Sequence, residues 1–303
     1  MTSFDTILPA DSVEFCPHPQ AQALFACGTY KLQEQEKLED SNENATNAPQ
    51  QRHGKCLQLI QEISLPAILD MKWCHSDAPY QPLLGIADSE GHLSIHELST
   101  PSIVVSLSNG FLTILKEHNS QFVQTEMWKA HDYEPWIAAW NYWDTNMIYS
   151  GGDDLKLKAW DTRQGFASPY FVNKRFDAGI TSIQSHPFEE RLIAVGSYDN
   201  TVRLFDTRKL GEPLTLFDVG GGAWRVKWHP HERRKHDLLI ACMHNGFKVM
   251  RFVDDWTSAD IVKRFDEHRS LAYGVDWSFQ DTDSESTIAS CSFYDHLLHI
   301  WSG

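Results

Sequence analysis

The chain has 303 residues, 42% of them apolar and 12% aromatic, with 11 Trp and 16 Phe, so it holds ample core material and favours strands over helices. Its 26 basic and 41 acidic residues give a net charge of −15. Nucleic acid and anionic membranes need clustered Lys and Arg, so both are excluded as main partners, whereas a cationic ligand or a basic protein face fits.

The N-terminal "MTSFDTILPADSVEF" has no basic region followed by an apolar one, so no signal peptide is predicted. Within it, "SFDTIL" alternates and lies outside the first repeat. It is expected to pair beside "LHIW" at the far end of the chain, as an outer strand that closes a ring. Gln33 to Arg52 carries five acids, one Lys and almost no apolar residue, and reads as a disordered acidic insertion, residues 33–52, within the first repeat. No apolar run approaches the roughly 20 residues of a membrane span.

From there the chain repeats itself. Strand patterns recur in "DSVEFCPHP", "AILDMKWCH", "WIAAWNYWD", "ITSIQSHPF", "AWRVKWHPH" and "AYGVDWSFQ". Hairpins recur in "IADSEGHLSIHEL", "VVSLSNGFLTIL", "YSGGDDLKLKAWDTR", "AVGSYDNTVRLFDTR", "ACMHNGFKVMR" and "ASCSFYDHLLHIW". The turn positions Asn109, Asp154, Asp199, Asn245 and Asp295 lie 45, 45, 46 and 50 residues apart. This period, with strands ending in Trp-Asp, predicts an all-β fold: a single WD-repeat β-propeller over residues 1–303. With the hairpin of the first repeat, which holds the insertion, seven hairpins stand against six first strands and predict seven blades, one of them incomplete. Glu90 and Asn109 are only 19 residues apart, so the outer strand of blade two and the first strand of blade three are expected to be missing near Ser99, Thr100 and Pro101. Such a deletion leaves strand edges unpaired.

The six cysteines, Cys16, Cys27, Cys56, Cys74, Cys242 and Cys291, form no C-x-x-C pair, and several sit in strand-like runs. They read as reduced, mostly buried thiols of a cytoplasmic protein. There is no G-x-S-x-G, P-loop or dinucleotide fingerprint, and no cofactor is expected. In "HERRKH" the histidines His231 and His236 are five apart and follow Pro230, so no metal site is expected.

Asp154, Asp199 and Asp295 fit a structural role, accepting backbone N–H groups in their hairpin turns. Asp153 is surplus to the repeat. His244, Tyr198 and Tyr294 directly precede the corresponding turns of blades six, five and seven, so these residues and Asp153 are expected to converge at one mouth of the propeller. "GGGAWRVKWHP", from Gly220 to Pro230, has more glycine than a turn needs. The excess lets backbone N–H groups approach a ligand.

Taken together, "SVEFCP", "ACGTY", "WIAAWNYW", "YSGGDD" with "WDTR", "GGGAWRVKWHP", "ACMHNGFK" and "SCSFYDH" resemble the diphthine methyltransferase family of WD-repeat proteins, from Ser12 to Trp301. The resemblance implies hydrolysis of the methyl ester of methylated diphthine on translation elongation factor 2, releasing methanol. The modified histidine carries a quaternary ammonium, which an aromatic, acidic pocket suits. On that reading His244 is the expected base, and Asp153 or Asp295 orients it or holds the cation. Tyr198, Tyr294 and Trp224 bind substrate, and the N–H groups of Gly221 and Gly222 serve the oxyanion.

A different class is also open. Trp160-Asp161-Thr162-Arg163 and Phe205-Asp206-Thr207-Arg208 are successive W/F-D-x-R motifs, the mark of substrate receptors for cullin-RING ubiquitin ligases. On that reading Arg163 and Arg208 bind the ligase adaptor from the opposite face.

Overall fold

A computed structural model describes residues 1–30, 57–73, 84–90, 92–96, 102–118, 121–281 and 285–303. The insertion expected over Gln33–Arg52, the join at Ser99–Pro101, and Cys56 and Cys74 lie outside these residues.

The alternating runs fold into seven antiparallel sheets, each blade succeeding the last along the chain. Blade one contributes Ala10–Phe15 and Phe25–Thr29, and blade two Ile68–Trp73, Leu84–Asp88 and Leu93–His96. Blade three contributes Ser102–Ser106, Phe111–His118 and Gln121–Lys129. Blades four, five and six have four strands each, with inner strands Pro135–Trp140, Ile180–Ser185 and Arg225–Trp228. Blade seven combines Ala272–Trp277, Thr287–Ser292 and Leu297–Ser302 with the N-terminal Thr2–Asp5, which pairs Phe4 with Leu298 and Thr2 with Ile300. The chain therefore closes its last blade with its own first strand, as the alternation of "SFDTIL" predicts.

Blade three begins with a second strand. Ser102–Ser106 precedes the turn at Asn109 and packs on the inner strand of blade four, as the second strands of blades one, four, five, six and seven pack on the next inner strand. Blade two lacks an outer strand and blade three an inner one among the described residues. This is the deficit that the 19-residue interval between Glu90 and Asn109 implies.

Core packing lies between successive blades. Leu192, Ala194, Val202 and Leu204 of blade five meet Val226, Trp228, Leu238 and Ile240 of blade six, all buried. Strands covered on both faces lose their polar alternation, so every residue of Leu192–Ser197 is buried. Cys16, Cys27, Cys242 and Cys291 are free thiols. Between the inner and second strands of blade six, Glu232–Arg234 forms one turn of 3-10 helix where a loop is expected.

Two blades are pinned by a four-residue relay. In blade four, Trp160 Nε1 and His131 Nε2 meet Ser150 Oγ at 2.9 and 2.8 Å, and His131 Nδ1 meets Asp154 Oδ1 at 2.8 Å. Blade seven repeats it: Trp301 Nε1 and His268 Nε2 meet Ser290 Oγ, both at 3.0 Å, and His268 Nδ1 lies 3.4 Å from Asp295 Oδ2.

Candidate functional site

The inner strands share an irregularity near their start. Pairing to the second strand skips a residue between Ala10 and Ser12, Ile68 and Asp70, Pro135 and Ile137, and Ile180 and Ser182, and it skips two between Ala272 and Val275. A β-bulge re-aims the side chain it leaves unpaired. The bulged residues are Asp11, Leu69, Trp136, Thr181 and Tyr273, and Trp224 precedes the paired part of blade six in the same place. The residue directly after the second strand lies at this same end, because the two strands are antiparallel. It is Tyr30 in blade one, Asp153 in blade four, Tyr198 in blade five and Phe293 in blade seven.

These two sets of residues form a continuous aromatic belt. Trp136 meets Tyr198 edge-on at 6.3 Å and Trp224 at 5.6 Å between ring centroids. Trp224 lies 5.6 Å from Tyr198 and stacks on Tyr273 at 5.0 Å. Phe293 joins Tyr273 at 5.6 Å and Tyr30 at 5.2 Å. Five blades thus contribute to one surface. The Tyr198 ring stands between two glycines: a Cβ on Gly179 would come within 3.2 Å of it, and one on Gly222 within 3.3 Å. A Cβ on Gly179 would also overlap the Asp153 carboxylate.

Asp153 Oδ1 accepts from Trp136 Nε1 at 2.7 Å, which brings the surplus acid to the belt with Tyr198 and Trp224. Burial, then the charges of Tyr273, Asp153 and Asp11, pushes the Tyr198 hydroxyl pKa upward. Gly221 and Gly222 are buried beside it, and neither backbone N–H has an acceptor among the described residues. Gly222 faces Met243, so the turn carrying His244 packs on this glycine segment. His244 itself is exposed and makes no hydrogen bond or ring contact with the belt.

Two expectations need correction. Phe293, not Tyr294, is the blade-seven counterpart of Tyr198. Tyr294 is 65% exposed and reaches the belt only through Phe293, at 4.7 Å. Asp295, expected in the catalytic set, is committed to the blade. It accepts from the backbone N–H groups of Arg269 and Leu297 at 2.9 and 3.0 Å, from Ser292 Oγ, and faces His268. Burial alone would raise its pKa, and these partners hold it below the usual value instead.

Sequence reasoning missed Trp136, Tyr273, Tyr30, Phe293 and Asp11. Beneath the belt the inner strands carry an ionic layer. Arg225 Nη2 donates to Asp70 Oδ1 at 2.9 Å, joining blades six and two across the propeller axis. Lys227 meets Glu14 at 2.6 Å and Asp276 at 3.4 Å, and Lys72 also donates to Glu14. Asp11, only 5% exposed, makes no hydrogen bond or ion pair among the described residues. Burial pushes its pKa up to about 7 against the pull of Arg225.

Arg163 and Arg208 lie at the other end of their blades, after the third strands. They are 57% and 59% exposed, and each binds its own motif aspartate, Asp161 or Asp206, at 2.8 Å.

The bladed sheets and the Trp-Ser-His-Asp relays define a WD-repeat propeller. The family model for the WD domain, G-beta repeat, matches residues 172–206. A chain in the crystal structure of the mitotic checkpoint complex superposes with a TM-score of 0.58 at 17% identity, covering 73% of this chain and 68% of that one, which supports the fold alone. Sequence relatives are closer. The chain is 37% identical to the diphthine methyltransferase of Mus musculus, over 92% of this chain and 69% of that protein. It is 35% identical to that of Homo sapiens (98% and 78%) and to the diphthine methyltransferase homolog of Dictyostelium discoideum (96% of each). The chain belongs to the diphthine methyltransferase family. The human alignment runs over 357 residues against 303 in this chain, so the relative carries residues with no counterpart here.

Proposed function

We propose that this protein acts in diphthamide biosynthesis as a hydrolase, removing the methyl ester of methylated diphthine on translation elongation factor 2. The observation that carries this reading is the aromatic belt with Asp153 at its rim. The substrate side chain pairs a quaternary ammonium with an ester, and aromatic faces beside a carboxylate attract such a cation. Water adds to the ester carbonyl carbon, methoxide leaves, and a proton passes to it to give methanol and a carboxylic acid. The N–H groups of Gly221 and Gly222, buried without acceptors, supply donors for the tetrahedral oxyanion. His244, free on the turn packed against those glycines, takes the proton from water. Asp153, Tyr198 and Trp224 position the cation, and Asp295 is left to the blade.

The test is incubation of the purified protein with elongation factor 2 bearing methylated diphthine. Mass spectrometry should register loss of one methylene unit, with methanol appearing in equal amount. An unchanged mass with folded protein would refute the reading. A second reading, a ligase adaptor docking through Arg163 and Arg208, is favoured only by the exposure of both guanidiniums at the opposite end.

A further inference from the structure

Resting on the proposed substrate, we infer that Asp11 is the anionic floor of a quaternary-ammonium subsite walled by Tyr30, Tyr198, Trp224 and Tyr273. The ionic layer around the axis has four carboxylates, Asp11, Glu14, Asp70 and Asp276, against three cations, Lys72, Arg225 and Lys227. Glu14, Asp70 and Asp276 each have a cationic partner. Asp11 has none among the described residues, although it is only 5% exposed. An unpaired buried carboxylate is costly, and asparagine would fill the same volume without that cost. The bulge at Asp11 directs it to the aromatic end of the strand, where its charge acts on Tyr30, Tyr198 and Tyr273.

The class of cation follows from what the walls lack. A primary ammonium or a guanidinium needs several directed acceptors, whereas a quaternary ammonium has no N–H and is satisfied by a charge and ring faces. The ligand that these walls suit is therefore a permanent cation.

Protonation of Asp11 gates the subsite. The ionisable groups facing it are Arg225 and Asp70, the three tyrosines, and Cys291. Arg225 is pushed up and stays charged, and Asp70 is held down and stays charged. The tyrosines and Cys291 are pushed up and stay neutral. Asp11 alone among them titrates near neutrality, so attraction for a cation strengthens as pH rises through about 7.

The probe is choline against its uncharged isostere 3,3-dimethyl-1-butanol, followed by quenching of tryptophan fluorescence in the full chain. One unit above the Asp11 midpoint of about 7, choline should bind at least tenfold tighter than the alcohol. One unit below it, the preference should fall severalfold, and Asp11→Asn should cut it severalfold above the midpoint and leave what remains independent of pH. Equal binding of the two probes by wild type, or an undiminished preference in Asp11→Asn, would overturn the subsite. The wild-type pH comparison decides the matter even if the variant folds poorly. Choline preference without hydrolysis of methylated diphthine would count against the proposed reaction and for the subsite. Hydrolysis without choline preference would count against the subsite alone.

Discussion

Asp153 and Asp154 are neighbours in one turn, and their surroundings separate them. Asp154 binds His131 at 2.8 Å and accepts from the N–H groups of Asp132 and Lys156, both at 3.3 Å. Burial alone would raise its pKa, but the His131 contact and the nearby charges bring it below the usual value. A lowered folded pKa means that Asp154 contributes stability above the unfolded value of 3.8, and that this is lost as pH falls through the folded pKa. Asp154→Asn should therefore lower the melting temperature at neutral pH, by about 1–3 kcal/mol of stability, with the difference shrinking in acid. Asp153→Asn keeps volume and an acceptor for Trp136, so its melt should match wild type. Turnover should fall at least tenfold, a barrier increase of about 1.4 kcal/mol. Wild-type turnover in Asp153→Asn would make that acid a solvated turn residue. Asp11 carries the opposite linkage. Its pKa is raised, so the folded state holds a proton that the unfolded state has lost, and stability declines as pH rises from 3.8 to about 7. Asp11→Asn should accordingly melt higher than wild type above pH 7, with the gain vanishing towards pH 4. A lower melt at high pH would mean that Asp11 has a partner.

At the scale of elements, the N-terminal strand is the simplest to test. Thr2–Asp5 covers the outer edge of Leu297–Ser302 and brings no large buried side chain, since its residues are half-buried or exposed. Its contribution is the ladder, at about 0.5–1.5 kcal/mol per net hydrogen bond. Deleting residues 1–5 should cost a few kcal/mol and leave an open edge, read as a lower melting temperature and concentration-dependent association. An unchanged melt would show the strand to be dispensable. Its pairing was legible in the sequence because the alternation of "SFDTIL" lies outside every repeat. The blades were legible for the same reason, since turn acids at a fixed period mark hairpins. The belt was not. A bulge adds one residue to a strand and breaks period-two counting from that point, so Asp11 in "ADSVEF" and Trp136 in "PWIAAW" read as ordinary alternation. Aligned on the bulge, the second position of five inner strands reads Asp11, Leu69, Trp136, Thr181 and Tyr273, with Trp224 just before the strand of blade six, and the belt becomes visible. Asp295 misled in another way: its period marked it correctly as a turn acid, and only the observed relay to His268 and Ser290 shows it fully engaged.

Among the described residues the inner strands pack in the order blade two, one, seven, six, five, four, and the arc ends where blade four meets the second strand of blade three. Blade three offers no inner strand among the described residues, so cohesion across the axis matters more here than in a full ring. Arg225, itself largely withdrawn from water, supplies it by reaching from blade six to the half-buried Asp70 of blade two. Removing Arg225 strands Asp70, and because that carboxylate keeps partial access to water the cost is reduced to about 1–3 kcal/mol. Arg225→Met should therefore lower the melting temperature. It should also act on the site, because Arg225 is the charge that pulls the Asp11 pKa down against burial. Without it Asp11 should hold its proton to higher pH, and the midpoint of choline binding should move upward. Arg225→Lys keeps the charge but not the planar donor fork, so it should lose part of the stability while leaving the midpoint near that of wild type. The measurement is a melt for each variant beside a choline titration across pH. An unmoved midpoint in folded Arg225→Met would break the proposed link between the ionic layer that holds the ring and the acid that reads the cation.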